Sequence, residues 1–369
     1  MTVGVARCYR LIERVSADET IQYTYDAAGK GLSMTDSTGI TEYEYDTEQG
    51  LSTKLQYPDR KELRIAYDAN GNRTEAIGPF GGQRFFKYDA MDRLTAMGTT
   101  SGSEEFEYTY YANGLLNQTK LNENLTTQQR FMGTKLLEKE QVRGQHLISR
   151  YQYEYDANNN IQKRTQNDVV DTFTYDQLVR IKESSVFNEA YTYDKLGNRL
   201  TLSSEQWLEP PSMNNTFDAQ DRLVQVATEG KTVQYVYNGD GLLVERVENG
   251  VRNRYYYDGS QIIAEAEIVN GQPVHKATYI RGNALEAIDY ADGSRVHVLS
   301  NGHGDIKELQ NESGQTLNKY SYDLWGNIIT QIEQVHNPFR YSGEYWDDTT
   351  KLQYLRARWY DPSMGRFMN

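Results

Sequence analysis

The chain has 369 residues, a net charge of -13 and a pI near 5.0, with 30 tyrosines against 10 phenylalanines. An acidic surface offers no field for phosphates and disfavours an anionic membrane, so neither nucleic acid nor membrane insertion is expected. No apolar run approaches the roughly 20 residues that span a bilayer. The lone Cys8 has no partner for an internal disulfide and no ligand-spaced companion.

Hydropathy is low, yet aromatic residues are plentiful, which argues against disorder and for tyrosine as the buried residue of strands. The opening, MTVGVARCYRLIERVSADET, is too charged for a signal peptide, and residues 1–20 read as an N-terminal segment or partial first repeat. From Ile21 a unit recurs: aromatic, any residue, Tyr, Asp, then a turn often ending Gly-Asn-Arg. It runs through YTYDAAG, YEYDTEQ, IAYDANGNR, FKYDAMDRL, YTYYANGLL, YEYDANNNI, FTYDQLVRI and YTYDKLGNRL. Worn copies follow as NTFDAQDRL, YVYNGDGLL, RYYYDGSQI and YSYDLWGNI. The second aromatic falls at Tyr25, Tyr45, Tyr67, Tyr88, Tyr110, Tyr155, Tyr175, Tyr193, Phe217, Tyr237, Tyr257 and Tyr322, in steps of about 18 to 24 residues. The two longer gaps hold degenerate copies at RFMGTKL and ATYIRG.

One unit explains the rest. In Tyr191-Thr-Tyr193 both rings share a strand face. Asp194 closes the strand with an Asx turn, and Gly197 supplies positive φ. Tyr25 with Asp26, Tyr67 with Asp68 and Gly71, Tyr88 with Asp89, and Tyr322 with Asp323 and Gly326 repeat that turn. A second turn such as DSTG at Asp36 sends the chain back, so each unit is a β-hairpin. Stacked hairpins bury a continuous face. The expected fold is all-β: one array over residues 21–336, its glycines supplying turns and bulges, coiling into a curved or spiralling antiparallel sheet. About fourteen hairpins make a strip on the order of 130 Å, one or two turns of a wide spiral and no sealed cage.

The closing segment, residues 337–369, reads NPFRYSGEYWDDTTKLQYLRARWYDPSMGRFMN. With the repeats it resembles the bacterial Rhs, or YD-repeat, proteins, distant relatives of the animal teneurins. The positions similar to the Rhs-associated core are Arg340, Tyr341, Gly343, one of Asp347 and Asp348, Leu352, Tyr354, Arg356, Arg358, Tyr360, Asp361, Pro362, Gly365, Arg366 and Phe367. The resemblance implies a non-enzymatic wall of a secreted or bacterial cell-surface container, used in bacterial competition, that encloses a polymorphic C-terminal toxin. In such proteins an aspartate protease segment follows Gly-Arg-Phe. The chain stops at Asn369, before any such segment, and Asp361-Pro362 belongs to the core motif. The expectation is a shell segment whose toxin partner lies beyond it.

Sharper readings have blander rivals. LQYLRARWY alternates as one strand, with Leu352, Tyr354, Arg356, Arg358 and Tyr360 on one face and Leu355, Ala357 and Trp359 on the other. Its arginines bind an anionic cargo, pair with Asp347, Asp348 or Asp361, or stack on tyrosines as structural cations, the last being favoured. DANGN at Asp68 and DANNN at Asp156 resemble calcium loops, but Asx turns explain them, and no metal or cofactor is expected. His146, His275, His297, His303 and His336 are scattered; only NGHGD sets His303 beside a carboxylate, without a nucleophile motif. Asp347 and Asp348 point to opposite faces and make no acid–base pair. Tyrosine-rich strands also suit cell-surface glycans, the alternative function, and open sheet edges invite self-association. The sequons at Asn117, Asn124, Asn214 and Asn311 carry no meaning in a bacterial host.

Overall fold

A computed structural model describes residues 2–5, 10–121, 124–206 and 212–368; Cys8 lies outside the described residues. Strands pair with their sequence neighbours in antiparallel ladders, and among the described residues the only helical turns are short 3₁₀ pieces at Val186–Asn188 and Tyr341–Gly343. Two compact units are built from interleaved segments. One comprises Met1–Glu104, Pro211–Val298 and Glu344–Asn369, the other Glu105–Pro210 and Leu299–Gly343.

The repeat chemistry recurs along most of the array, whereas after Met132 and Asp258 the strands pair directly across two-residue turns. At Asp194 the backbone N–H groups of Leu196 (2.9 Å) and Asn198 (2.8 Å) donate to Oδ1, and the Asn198 amide donates to Oδ2. Gly197, at φ +90°, closes the turn. Asp68 does likewise with Asn70 and Asn72. The ladder then slips by one residue at the second tyrosine. Thr24 faces Ser33 while Tyr25 faces Gly31, leaving Leu32 as a bulge. The slip recurs at Tyr45, Tyr67, Tyr88, Tyr155, Tyr175, Tyr193, Tyr237, Tyr257 and Tyr322. The expected bulges exist, but the extra residue is one such as Leu32, Lys182, Leu200 or Thr74 and is not the turn glycine. Its backbone keeps an ordinary negative φ, so no glycine is needed there.

The bulge explains why the array uses tyrosine. At seven of these repeats the second ring reaches back to the residue that opens the return strand of the preceding hairpin. Tyr25 Oη donates to Leu11 O (2.7 Å), Tyr67 to Ser52 O (2.8 Å), Tyr175 to Ile161 O (2.8 Å) and Tyr193 to Ile181 O (2.7 Å). Tyr237, Tyr257 and Tyr322 do the same to Leu223, Leu243 and Ile306. The hydroxyl satisfies a backbone carbonyl at the disrupted point of the ladder, which phenylalanine cannot do.

Within each unit a later run folds onto an earlier one. In the first unit, turns of the later run sit on early strands: Ala219 N–H donates to Asp18 (2.6 Å), Gly239 N–H to Asp36 (2.6 Å), and Tyr57 Oη to Tyr257 O (2.7 Å). In the second, Lys139 reaches Ser300 and Asn301, Gly302 N–H donates to Tyr153 Oη (3.0 Å), and Trp325 Nε1 donates to Tyr191 Oη (3.1 Å).

Candidate functional site

The closing segment supplies the most deeply buried polar chemistry. In the second unit Arg340 is 2 % exposed, forks onto Glu333 at 2.9 and 2.8 Å, and lies 4.3 Å from the Tyr320 ring centroid. Its carbonyl accepts the N–H groups of Ile306 (3.0 Å) and Gly343 (3.1 Å). Tyr341 Oη donates to Leu324 O (2.9 Å), and its ring covers Gly326, where a Cβ would approach Tyr341 Cδ1 to 2.8 Å. Gly326 also sits at φ +95°, so close approach and conformation both demand glycine. Ser342 and Gly343, at φ 54° and 68°, kink the chain, and Ser342 N–H donates to Asp305 Oδ1 (2.9 Å).

In the first unit the remainder forms a four-stranded sheet: Tyr345–Asp347, Leu352–Tyr354, Trp359–Asp361 and Arg366–Phe367. The expected single strand over residues 352–360 is therefore corrected. The chain reverses between Tyr354 and Trp359, with Leu355 N–H bonded to Arg358 O and Arg356 at φ 63°. Tyr354 and Trp359 consequently face each other as a cross-strand pair. Arg356 pairs with Glu344 (2.8 Å), and Arg358 lies 3.7 Å from the Phe367 centroid. Tyr360 also packs on Phe367. Asp361, 3 % exposed, accepts Ser363 N–H (2.9 Å), and the Pro362 carbonyl receives Gly365 N–H in the turn before exposed Arg366.

These strands enter an aromatic seam. Trp359 Nε1 donates to Tyr237 Oη (2.7 Å), Tyr255 and Tyr345 share a hydroxyl bond (2.7 Å), and Leu243 N–H donates to Tyr354 Oη (2.9 Å). Asp347, 1 % exposed, takes Tyr235 Oη (2.8 Å) and Arg246 Nε (2.7 Å), while the side chain of its neighbour Asp348 is 64 % exposed. Burial pushes the hydroxyls of Tyr235, Tyr237 and Tyr255 well up from the usual phenol range, so the seam stays neutral. Buried Glu265 is answered by Tyr279 Oη and Lys276 Nζ. Arg246 and Glu265 escape sequence reasoning because they lie outside the repeat motif, on strands that carry further charges at Glu245, Glu248 and Glu267.

The repeat-turn residues stay dispersed along the array, each serving its own turn. The carboxylates of Asp26, Asp68, Asp89 and Asp194 are held below the usual range by hydrogen bonds within their turns: to the Lys30 N–H for Asp26, the Asn72 N–H for Asp68, the Arg93 guanidinium for Asp89 and the Asn198 amide for Asp194. Asp323 makes the same bonds to Trp325 and Asn327, yet burial raises it. His303 Nδ1 lies 2.7 Å from Asp305 Oδ1 and 3.4 Å from Ser342 Oγ. Both neighbours crowd one ring nitrogen, which is not the relay of a serine hydrolase. Among the described residues no group of three or more His, Cys, Asp and Glu side chains gathers to hold a metal.

The model of the Teneurin YD-shell family matches residues 8–120 and 82–369. The chain is 32% identical over 200 residues to the tRNA3(Ser)-specific nuclease WapA of Bacillus spizizenii, covering 52% of the chain and 8% of that protein. It is 25% identical over 320 residues to the double-stranded DNA deaminase toxin A of Burkholderia cenocepacia, covering 82% and 20%. Among solved structures, the TcdB2-TccC3-TEV crystal structure superposes with a TM-score of 0.77 at 13% identity, over 99% of this chain and 26% of that one. The chain thus spans a small fraction of these relatives. Repeat, bulge, closing segment and family match agree: the chain is a scaffold of Rhs-type YD repeats and belongs to the Teneurin YD-shell family.

Proposed function

We propose that this chain is part of the wall of a secreted or cell-surface toxin container, enclosing a C-terminal toxin polypeptide. The observation that carries the reading is how the array consumes its own reactive groups. Asp347, Glu265 and Asp305 are buried and answered by partners within the fold, and the repeat hydroxyls are spent on backbone carbonyls. Such a surface encloses and does not catalyse. The relatives named for nuclease and deaminase activities match over only 8% and 20% of their lengths, which supports those activities lying elsewhere in them.

In this reading residues 21–336 are the array, residues 1–20 lead into it, and residues 337–369 close it. Arg340, Tyr341, Gly343, Tyr354, Arg356, Arg358, Tyr360, Asp361, Pro362, Gly365, Arg366 and Phe367 hold that closure and form no active site. The test fuses an unfolded reporter polypeptide after Asn369 and follows its digestion by protease. Protection that is lost in Asp347→Ala supports the container; digestion at the rate of the free reporter, with the wall intact, overturns it. Retention of the chain on a glycan array, abolished by Tyr→Ala changes at exposed rings, would replace it with a carbohydrate-binding role.

A further inference from the structure

At Lys30, Arg180 and Arg222 the fourth residue after the turn acid sets a cation over the second tyrosine of the next repeat, whereas after Asp68, Asp156 and Asp194 that position is asparagine, and the Asp156 repeat lies beside a cavity. Lys30 lies 5.4 Å from the Tyr45 centroid, Arg180 4.4 Å from Tyr193, and Arg222 5.2 Å from Tyr237. The equivalent residue after Asp156 is Asn160, whose amide only returns to Asp156 Oδ2 (3.0 Å). Among the described residues no cation stands over the Tyr175 ring, and its electrostatic neighbour is the Asp156 carboxylate.

Tyr175 is one wall of a cavity of about 240 Å³ in the second unit, with Tyr153, Phe173, Trp325 and Tyr341 as further rings and Asp305 and Asp323 as carboxylates. Arg164 is forked onto Asp171 (3.0 and 2.6 Å) and lies 5.7 Å from the Phe173 centroid, Arg199 lies 4.7 Å from the Trp325 ring, and His303 is paired with Asp305, while Asp323 is held by its turn hydrogen bonds and, among the described residues, by no ion pair. An anion is therefore disfavoured. A metal ion is disfavoured too, because both oxygens of Asp323 and of Asp305 already accept protein hydrogen bonds. What remains is a cation that needs ring faces and a negative field more than oxygen ligands.

We infer that this cavity binds an organic cation, the ammonium or guanidinium of a lysine or arginine side chain or a quaternary amine, over the Tyr175 ring and beside Asp323. The inference stands apart from whether the array encloses a toxin. Burial that raises Asp323 fits a carboxylate awaiting a counter-charge.

The test is calorimetric titration of the intact chain with tetramethylammonium chloride, N-acetyl-lysinamide and N-acetyl-argininamide, with N-acetyl-aspartate as the anionic control. One saturable site for at least one cation is expected. Asn160→Lys should abolish binding by placing a tethered ammonium as Lys30 does. Asp323→Asn should weaken it at least threefold while keeping the turn, because Asn238 already serves as the turn acceptor for Leu242 N–H in a sister repeat. Circular dichroism checks that both variants fold; should Asp323→Asn fail, Asn160→Lys decides alone. Preference for the amino-acid amides assigns a polypeptide side chain, and preference for tetramethylammonium a small quaternary amine. No saturable cation binding, equal binding by both folded variants, or preference for N-acetyl-aspartate overturns the inference.

Discussion

In the first unit, the tyrosines of the early repeats and those of the later run carry one motif in two environments. Tyr23, Tyr25, Tyr43, Tyr45 and Tyr67 are half-buried, whereas Tyr235, Tyr237, Tyr255, Tyr256 and Tyr257 are at most 5% exposed. Their hairpins and bulges match, and the turns match except after Tyr257, where Asp258 pairs with Gln261 across a two-residue turn. The difference is the cover: the strands Tyr345–Asp347, Leu352–Tyr354 and Trp359–Asp361 give the hydroxyls of Tyr235, Tyr237 and Tyr255 side-chain partners, while Tyr256 is covered on the other side by Tyr57 and Phe80 of the early run. A repeat motif thus sets local geometry, and the packed neighbour sets how much each residue contributes.

The largest expected break of that contrast is Asp347→Ala, which leaves Arg246 with only Glu248 and Thr349 in a largely buried site. It should lower stability by about 3–5 kcal/mol. A shift in urea midpoint equivalent to less than about 1 kcal/mol would show that the closing sheet is not anchored there. Next, Tyr237→Phe removes a buried hydroxyl shared by Leu223 O and Trp359 Nε1 and should cost about 1–3 kcal/mol. Tyr25→Phe, with the same backbone bond in a wetter setting, should cost only about 0.5–1.5 kcal/mol. Equal costs for the two tyrosines would erase the contrast.

The smallest effect is on pH dependence and compares Asp194 with Asp323. Asp194 is held below its ordinary range, so its contribution is present above the unfolded pKa and fades as pH falls through the folded one. Asp323 is raised, so its ionisation opposes folding near neutrality, and that penalty eases as pH falls through the folded pKa. Asp194→Asn should therefore flatten the acid loss of stability. Asp323→Asn should raise stability near neutral pH and change little in acid. Chemical denaturation across pH 3 to 7 reads both, and slopes of the same sign would refute the assignment.

Much of this was legible because the period is a local signal. YxYD followed by glycine or asparagine specifies two strands and an Asx turn within about ten residues, and the turns at Asp68 and Asp194 form as that chemistry dictates. The bulge was anticipated but tied to the wrong residue. Glycine marks the turn, while the slip is a property of the ladder and leaves no residue type behind it, since Leu32, Lys182 and Leu200 all occupy it. The LQYLRARWY segment misled for a related reason. Perfect alternation reads as a strand, and only Arg356 at positive φ, in a conformation most residues avoid, divides it into two.

The sequence by itself determined the hairpin, its turn, tyrosine as the buried residue of its strands, and the family to which the chain belongs. These follow from residues within a turn or one repeat of each other, where spacing fixes geometry. Tertiary structure alone decided that Asp347 meets Arg246, that Trp359 meets Tyr237, and that the Asp323 carboxyl is raised by its surroundings while that of Asp194 is lowered by its turn. Those partners are brought together from far along the chain by the folding of one run onto another. Burial depends on what arrives to cover a residue, and no local pattern encodes the arrival.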